Sequence, residues 1–261
     1  MTPPALKISA AGRTDVGLRR QHNEDAYTCE PDIGLFIVAD GMGGHAAGEI
    51  ASAKAVQAMR EFVISFQGNS DFTWPFGVVK SLGPSQNLLL SAVRLANRDV
   101  CALAQDHPEY SGMGTTVVAC LLEDHEAVIG HVGDSRAYLV RADTMTQLTE
   151  DHSWVNEQVQ QQLLTEEEAK THRWRNIITR ALGNRFDVEV DLRRHTLRKG
   201  DTLLLCTDGL SGPVPEATIK QIIEDCGENV DEACDQLIAE ANRGGGPDNI
   251  TVVLIHLSRG A

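Results

Sequence analysis

The stretch Leu35-Phe36-Ile37-Val38-Ala39 runs into Asp40-Gly41, and the stretch Leu203-Leu204-Leu205-Cys206-Thr207 runs into Asp208-Gly209. A short, β-prone apolar run without a helical stripe predicts a strand that is buried on both faces. A carboxylate at the tip of such a strand needs a partner such as a cation, because burying it alone costs several kcal/mol. A third apolar run, Ile250 to Ile255, follows Gly246-Pro247-Asp248-Asn249. These tips predict acidic groups that converge on a metal.

The composition indicates an acidic globular enzyme. The chain has 261 residues, enough for one large domain with a sizeable core or for two small ones. Its 37 acidic and 23 basic residues give a formal net charge of −14. That balance argues against nucleic acid or an anionic membrane as the main partner. Two explanations of the excess of acidic residues stay open. Some carboxylates hold divalent cations, or the surface is merely acidic, which is the commoner cause.

The cysteines and the first residues predict the compartment. Cysteine occurs at positions 29, 101, 120, 206, 226 and 234 without a CxxC pair, and Cys120 and Cys206 lie inside apolar runs. We interpret all six as reduced side chains that serve as small hydrophobic residues. The first residues lack the apolar region of a signal peptide, and no stretch reaches the ~18 apolar residues of a membrane span. We therefore expect a cytoplasmic protein.

The order of the predicted elements indicates the fold class. Strands are predicted at 6–15, 35–40, 115–122, 127–132, 137–140, 188–196, 202–207 and 250–257. Helices are predicted from about 46 to 66, from about 89 to 103, at 216–225 and at 231–242, because apolar residues recur there on one face. Residues 67–84 are predicted to form a loop, and 152–170 is polar and helix-prone. Since regular βα alternation is missing, we predict an α+β fold, a central sandwich of two antiparallel β-sheets with helices on both outer faces.

Acidic residues near these strand ends predict the chemistry of the site. Oxygen ligands without a His or Cys cluster at zinc spacing favour Mg²⁺ or Mn²⁺. The candidate ligands are Glu24, Asp25, Asp40, Asp134, Asp208 and Asp248. Each alone is more often a turn residue or a helix cap, whereas together, beside three apolar strands, they predict a metal site.

Two further side chains are candidates for the site. Arg20 is either an ordinary surface arginine or the guanidinium fork that such a site needs to hold a tetrahedral oxyanion. His45 either packs at the start of the following helix or has a functional role. The glycines between Asp40 and His45 lack the pattern of a nucleotide-binding P-loop, so a nucleotide site is not expected.

Eight motifs resemble those of one family. They are RQHNED (20–25), ADGMGGHAAGE (39–49), GMGTT (112–116), HVGDSR (131–136), LTEDHS (148–153), RNIITRALG (175–183), CTDGLSG (206–212) and GGPDNITVV (245–253). In their order and spacing they resemble the bacterial branch of the metal-dependent type 2C protein serine/threonine phosphatases. The resemblance covers nearly the whole chain. It implies one catalytic domain over 1–261 with a flap subdomain at about 152–176 beside the catalytic cleft.

The resemblance also implies a role for each site residue. The implied ligands of two Mn²⁺ or Mg²⁺ ions are Asp40 as the bridge, Asp208 and Asp248 for the first ion, and Glu24 and the Gly41 carbonyl for the second, with Asp25 close behind. Asp134, with Asp208, matches a third, weaker metal site, and Arg20 matches the phosphate-binding arginine. The implied reaction hydrolyses phosphoserine and phosphothreonine on proteins with water that the two metals activate. The implied partners are phosphorylated substrates of a bacterial Ser/Thr kinase, and we expect a monomer.

One departure from the pattern leaves the proton donor open. Eukaryotic relatives carry a general-acid His directly after the Asp-Gly, where this chain has Met42. His45 matches the bacterial pattern instead, so either His45 or a water in the site protonates the leaving group. Two other classes stay as alternatives: a catalytically inactive binding module, which would have lost ligands, and a cation-binding protein, which would need neither Arg20 nor a flap.

Overall fold

The computed structural model describes residues 6–43, 47–67 and 72–259. The strands are β1 (Leu6–Asp15), β2 (Asp25–Glu30), β3 (Leu35–Met42), β4 (Gly114–Thr115), β5 (Val117–Glu123), β6 (Glu126–Val132), β7 (Arg136–Arg141), β8 (Thr144–Gln147), β9 (Asp191–Thr196), β10 (Thr202–Cys206) and β11 (Ile250–Arg259). The helices are α1 (Ala47–Gln67), α2 (Pro84–Asp106), α3 (Trp154–Gln160), α4 (Glu166–Thr171), α5 (Asp208–Ser211), α6 (Glu216–Cys226) and α7 (Val230–Arg243). Within these residues, no helix is both long and apolar enough to cross a membrane.

The strands form two antiparallel sheets. One has the order β1-β11-β10-β7-β8, and the other has the order β2-β3-β5-β6-β9 with β4 paired to β3. Side chains from both sheets form one buried cluster, in which Phe36 and Val38 meet Leu203, Leu205 and Val253. The two sheets therefore pack face to face, and the predicted sandwich is confirmed.

The helices cover the outer faces of the sandwich. Helices α1 and α2 pack on one sheet, where Leu35 and Ile37 share a cluster with Met59. Helices α6 and α7 pack on the other sheet, where Leu204 shares a cluster with Leu237. Successive residues of a strand point to opposite faces. This explains the unbroken apolar runs, because one set of alternate residues meets the helices and the other set meets the opposite sheet.

Several short elements differ from the prediction. Strand β2 is half polar, and β8 has four residues at the edge of its sheet, so neither shows an apolar pattern. Asp208 begins the one-turn helix α5 and does not lie in a simple turn. The helix-prone segment forms two short helices, α3 and α4. Strand β9 begins at Asp191, three residues later than predicted.

Candidate metal centre

The carboxylates of the predicted site meet at one end of the sandwich. Asp25 and Asp40 lie opposite each other in the β2–β3 pair. Asp208 follows β10 and Asp248 precedes β11, which are neighbours in the other sheet. One pair of aspartates therefore comes from each sheet.

Asp25 joins the two sheets at this end. Its Oδ2 accepts hydrogen bonds from Thr207 Oγ1 at 2.9 Å and from Thr251 Oγ1 at 2.6 Å. Both threonines flank the tips of the other sheet. Sequence analysis missed these two hydroxyls, although each stands next to an acidic motif, in Cys-Thr-Asp-Gly and in Asp-Asn-Ile-Thr.

Several carboxylate oxygens of the cluster are buried without a hydrogen-bond partner: Glu24 Oε1, Asp25 Oδ1 and Asp208 Oδ1. Buried polar atoms are normally paired, so an unpaired anionic oxygen indicates a missing cationic partner. Oxygen atoms alone are also the ligand set that Mg²⁺ and Mn²⁺ prefer. The residues present therefore fit divalent cations.

The electrostatics of the cluster lead to the same conclusion. Burial, followed by the charges of Asp25 and Asp208, raises the pKa of Asp40 well above its ordinary value. Burial also raises the pKa of Asp25 to about 7, against the opposing effect of the two threonine hydroxyls. The pKa of Asp208 is raised by burial and then by the charge of Asp248. Neighbouring like charges and a low dielectric both disfavour the ionised form of a carboxyl. The raised pKa values therefore indicate that the cluster has too little positive charge near it.

Glu24 and Gly41 come together at the start of α1. A Cβ on Gly48 would lie 2.5 Å from Glu24 Oε1, and a Cβ on Gly41 would clash with the carbonyl oxygens of Gly48 and Glu24. Burial raises the pKa of Glu24, against the opposing effects of the Arg20 charge and of the Gly48 backbone N–H. A side chain is therefore excluded at Gly41, where the backbones of Glu24 and Gly48 approach closely, and at Gly48 it would displace the Glu24 carboxylate. The N-terminal end of α1 favours the negative charge there.

Asp134 also faces the cluster. Burial raises its pKa to about 7, and the charge of Asp208 is the next cause. Its neighbour Ser135 shares a hydrogen bond of 2.7 Å with Thr116 Oγ1, which in turn accepts from the Asp40 N–H at 2.9 Å. On the other side, Arg136 makes a bidentate ion pair with Asp151. The Asp134 loop is thus fixed to the strand that carries Asp40.

Arg20 lies on the rim of this cluster. Its Nη2 donates to Asp248 Oδ2 at 2.7 Å, and about half of its side chain is exposed. An exposed guanidinium beside the acidic cluster can reach a bound anion. His45, the other predicted catalytic residue, lies outside the described residues.

The segment predicted to be the flap has its own small aromatic cluster. Trp154 stacks on His172 with ring centroids 4.9 Å apart and meets Trp174 edge-on at 4.7 Å. Trp174 is 39% exposed. At the base of the segment, the His152 N–H donates to the Gly133 carbonyl, next to Asp134. The three rings pack on one another within the segment.

A second group of possible ligands, His131, His152 and Asp191, lies under this base. Arg180 Nη1 lies 3.0 Å from His152 Nε2 and 2.7 Å from Asp191 Oδ1. The guanidinium therefore neutralises this group, and we assign no metal to it.

Comparisons with known proteins agree with this geometry. The family model described as Protein phosphatase 2C matches residues 18–240. The chain belongs to the protein phosphatase 2C family. It is 39% identical over 255 residues to the serine/threonine phosphatase stp of Listeria innocua, with 95% of each chain covered. As a member of this family, it is a metal-dependent serine/threonine protein phosphatase.

Solved structures of other protein phosphatases 2C have the same fold. The chain is similar to the Mycobacterium tuberculosis serine/threonine phosphatase PstP/Ppp, with a TM-score of 0.84 at 39% identity and 97% and 99% of the two chains covered. It is also similar to the catalytic domain of PstP in complex with two manganese ions, with a TM-score of 0.83 at 38% identity. That comparison covers 97% of this chain and 99% of the other.

Proposed function

We propose that this phosphatase hydrolyses phosphoserine and phosphothreonine on proteins that a bacterial Ser/Thr kinase phosphorylates, with two Mn²⁺ or Mg²⁺ ions in the acidic cluster. The observation that supports this best is the set of buried carboxylate oxygens without hydrogen-bond partners. A cation is the partner that these oxygens lack.

The ligands in this proposal come from both sheets. Asp40 would be shared by the two cations, and Asp208 and Asp248 would complete the first site. Glu24 and the Gly41 carbonyl would hold the second cation, with Asp25 behind them. Asp134, with Asp208, would hold a third cation more weakly. The raised pKa values of Asp40, Asp25, Asp208 and Asp134 support this proposal, because each carboxyl gains from a nearby positive charge.

In this mechanism the cations supply Lewis-acid activation of water and neutralise phosphate charge. Arg20 binds the non-transferred phosphate oxygens with its guanidinium fork, which suits a tetrahedral oxyanion. The aspartates hold the reacting groups at the open end of the sandwich and need not themselves be phosphorylated.

A cysteine nucleophile is not supported. Burial raises the pKa of Cys206 to about 12 and raises the pKa of Cys120 as well. A thiol in such a site stays protonated at neutral pH and is a poor nucleophile. The cysteine nearest the cluster in sequence, Cys206, lies fully buried in the core.

We further propose that residues 1–261 work as one catalytic domain, that the flap comprises about 152–176, and that the protein acts as a cytoplasmic monomer. The packing of α3, α4 and the aromatic cluster within the flap segment supports its description as a subdomain.

The test is Mn²⁺-dependent release of phosphate from a phosphoserine peptide. We expect release with Mn²⁺, none with excess chelator, and almost none from Asp40→Asn. The matched control is Asp32→Asn, which removes an exposed carboxylate far from the strand tips. Mn²⁺ binding without phosphate release would instead indicate a cation-binding protein. Absence of both Mn²⁺ binding and phosphate release would indicate an inactive relative.

A further inference from the structure

The Asn249 side chain holds three backbone groups of a single segment. Its Oδ1 accepts from the Glu24 N–H at 2.8 Å. Its Nδ2 donates to the Val16 carbonyl at 3.0 Å and to the His22 carbonyl at 2.9 Å. The residue is 4% exposed. Asn249 therefore hydrogen-bonds both ends of the segment 16–24 and holds it in place.

That segment carries two residues of the proposed site but has little regular structure of its own. Residues 16–24 form turns and bends between β1 and β2. Arg20 and Glu24 both lie in this segment. Without a strand or helix to fix it, its position depends on contacts with neighbouring elements.

The neighbouring element is the stretch before β11, which ends at Asn249. The Leu18 N–H donates to the Gly246 carbonyl at 2.8 Å. Gly17 has a φ of +76°, and a Cβ there would clash with the Asp248 carbonyl oxygen. Asn249 adds three of the hydrogen bonds between these two stretches, and it is the residue directly after the ligand Asp248.

We propose that Asn249 is a positioning residue that sets the phosphate-binding Arg20 and the ligand Glu24 in register with Asp248. This inference rests on the proposed function. Asn249 touches neither substrate nor metal and acts through the backbone of residues 16–24. Only a side chain with an acceptor and two N–H donors can make all three bonds, and the amide of Asn is the shortest one that does.

Two substitutions separate the bonds. Asn249→Asp keeps an acceptor for the Glu24 N–H and loses both donors to Val16 and His22. Asn249→Leu has a similar volume and loses all three bonds. The control is Asn229→Ala, which removes a helix cap of α7 far from the site and lowers stability in its own right.

The measurements are inhibition by inorganic phosphate, kcat and KM on p-nitrophenyl phosphate, Mn²⁺ affinity by calorimetry, and the melting temperature in chelator. For Asn249→Asp we expect the inhibition constant of phosphate and the KM both to rise about tenfold. This is the effect of losing one or two hydrogen bonds. Mn²⁺ affinity should change much less, because the Glu24 bond is kept. For Asn249→Leu both phosphate and Mn²⁺ binding should weaken. Asn249→Leu adds no charge, so a loss of phosphate binding that both variants share follows from the lost donors and not from the added charge of Asn249→Asp.

Two results would overturn the inference. The first is a lower melting temperature in both Asn249 variants, as in Asn229→Ala, with phosphate inhibition and KM unchanged. The second is a loss of phosphate binding in Asn249→Asp alone, with Asn249→Leu binding phosphate as wild type does, which would assign the effect to the added charge. If Asn249→Leu does not fold, Asn249→Ala replaces it as the uncharged variant. Failure of the proposed function is seen separately, as a wild-type protein without Mn²⁺-dependent hydrolysis.

Discussion

The most informative perturbation of the acidic cluster is Asp25→Asn in the metal-free protein. Asp25 is buried, and its pKa is raised to about 7, against about 3.9 in an unfolded chain. Between these values the folded state binds more protons than the unfolded state. The contribution of Asp25 to the free energy of unfolding is therefore full below about pH 4 and is lost as pH rises to about 7.

The size of the effect follows from the difference between the two pKa values. About three pH units correspond to about 4 kcal/mol at pH 8, at about 1.4 kcal/mol per unit. An asparagine amide keeps an acceptor for Thr207 and Thr251 and carries no charge. We expect Asp25→Asn to be more stable than wild type by about 2–4 kcal/mol at pH 8 and equal to it near pH 4. For a domain of this size, that is a rise in melting temperature of about 4–16 °C.

The assay is calorimetric melting in chelator at several pH values from 4 to 8. Asp151→Asn is the control of opposite sign, because it leaves the Arg136 guanidinium without its bidentate partner and should lower the melting temperature. Added Mn²⁺ should stabilise wild type by about 2.7 kcal/mol at a hundred times its Kd. Equal melting temperatures of Asp25→Asn and wild type at every pH would refute the reasoning that a buried charge at Asp25, beside other carboxylates, destabilises this end of the metal-free sandwich.

Three further predictions concern activity. Asp208→Asn should lower Mn²⁺-dependent turnover about a hundredfold or more while circular dichroism stays unchanged, since a metal's charge stabilisation contributes several kcal/mol; near-wild-type turnover at saturating Mn²⁺ would contradict the ligand assignment. Arg20→Ala should raise KM about tenfold to a hundredfold by removing charge-assisted bonds to phosphate, with Mn²⁺ affinity kept because Asp248 is freed from its ion pair; a comparable loss of Mn²⁺ binding by calorimetry would make Arg20 a structural partner of the cluster. Trp174→Ala should lower rates on a phosphoprotein about threefold to tenfold, the range of one aromatic contact, and leave p-nitrophenyl phosphate hydrolysis nearly unchanged; equal losses on both substrates would show that the flap segment supports the metal site.

The core of the fold could be predicted because its signals are local. Leu35 to Ala39 contains no polar residue, which is possible only where both faces of a strand are covered. Strand β2 has no such apolar run. Asp25 is buried, but the other residues of the strand, up to Glu30, are only partly buried. Its place is fixed by pairing with β3, a contact that no periodicity within β2 shows.

The acidic residues of the site could also be predicted from local signals, but the hydrogen bonds between them and their neighbours could not. An aspartate at the end of an apolar strand is visible in the sequence. That Thr251 donates to Asp25, 226 positions earlier, depends on the two sheets lying face to face. The three bonds from Asn249 to residues 16–24 likewise depend on β1 and β11 being paired.

The hydrogen bonds around the cluster explain how it can be both ordered and open to cations. Asp25 is held through Oδ2, while its Oδ1 has no partner. Glu24 lies close against Gly48, while its Oε1 has no partner. Asp248 differs, because its Oδ1 accepts from the Asn249 N–H and its Oδ2 from Arg20. A carboxylate oxygen has more than one lone pair, so Asp248 could hold a cation and keep its bond to Arg20. The guanidinium would then stay on the rim of the cluster, beside the place where phosphate would bind.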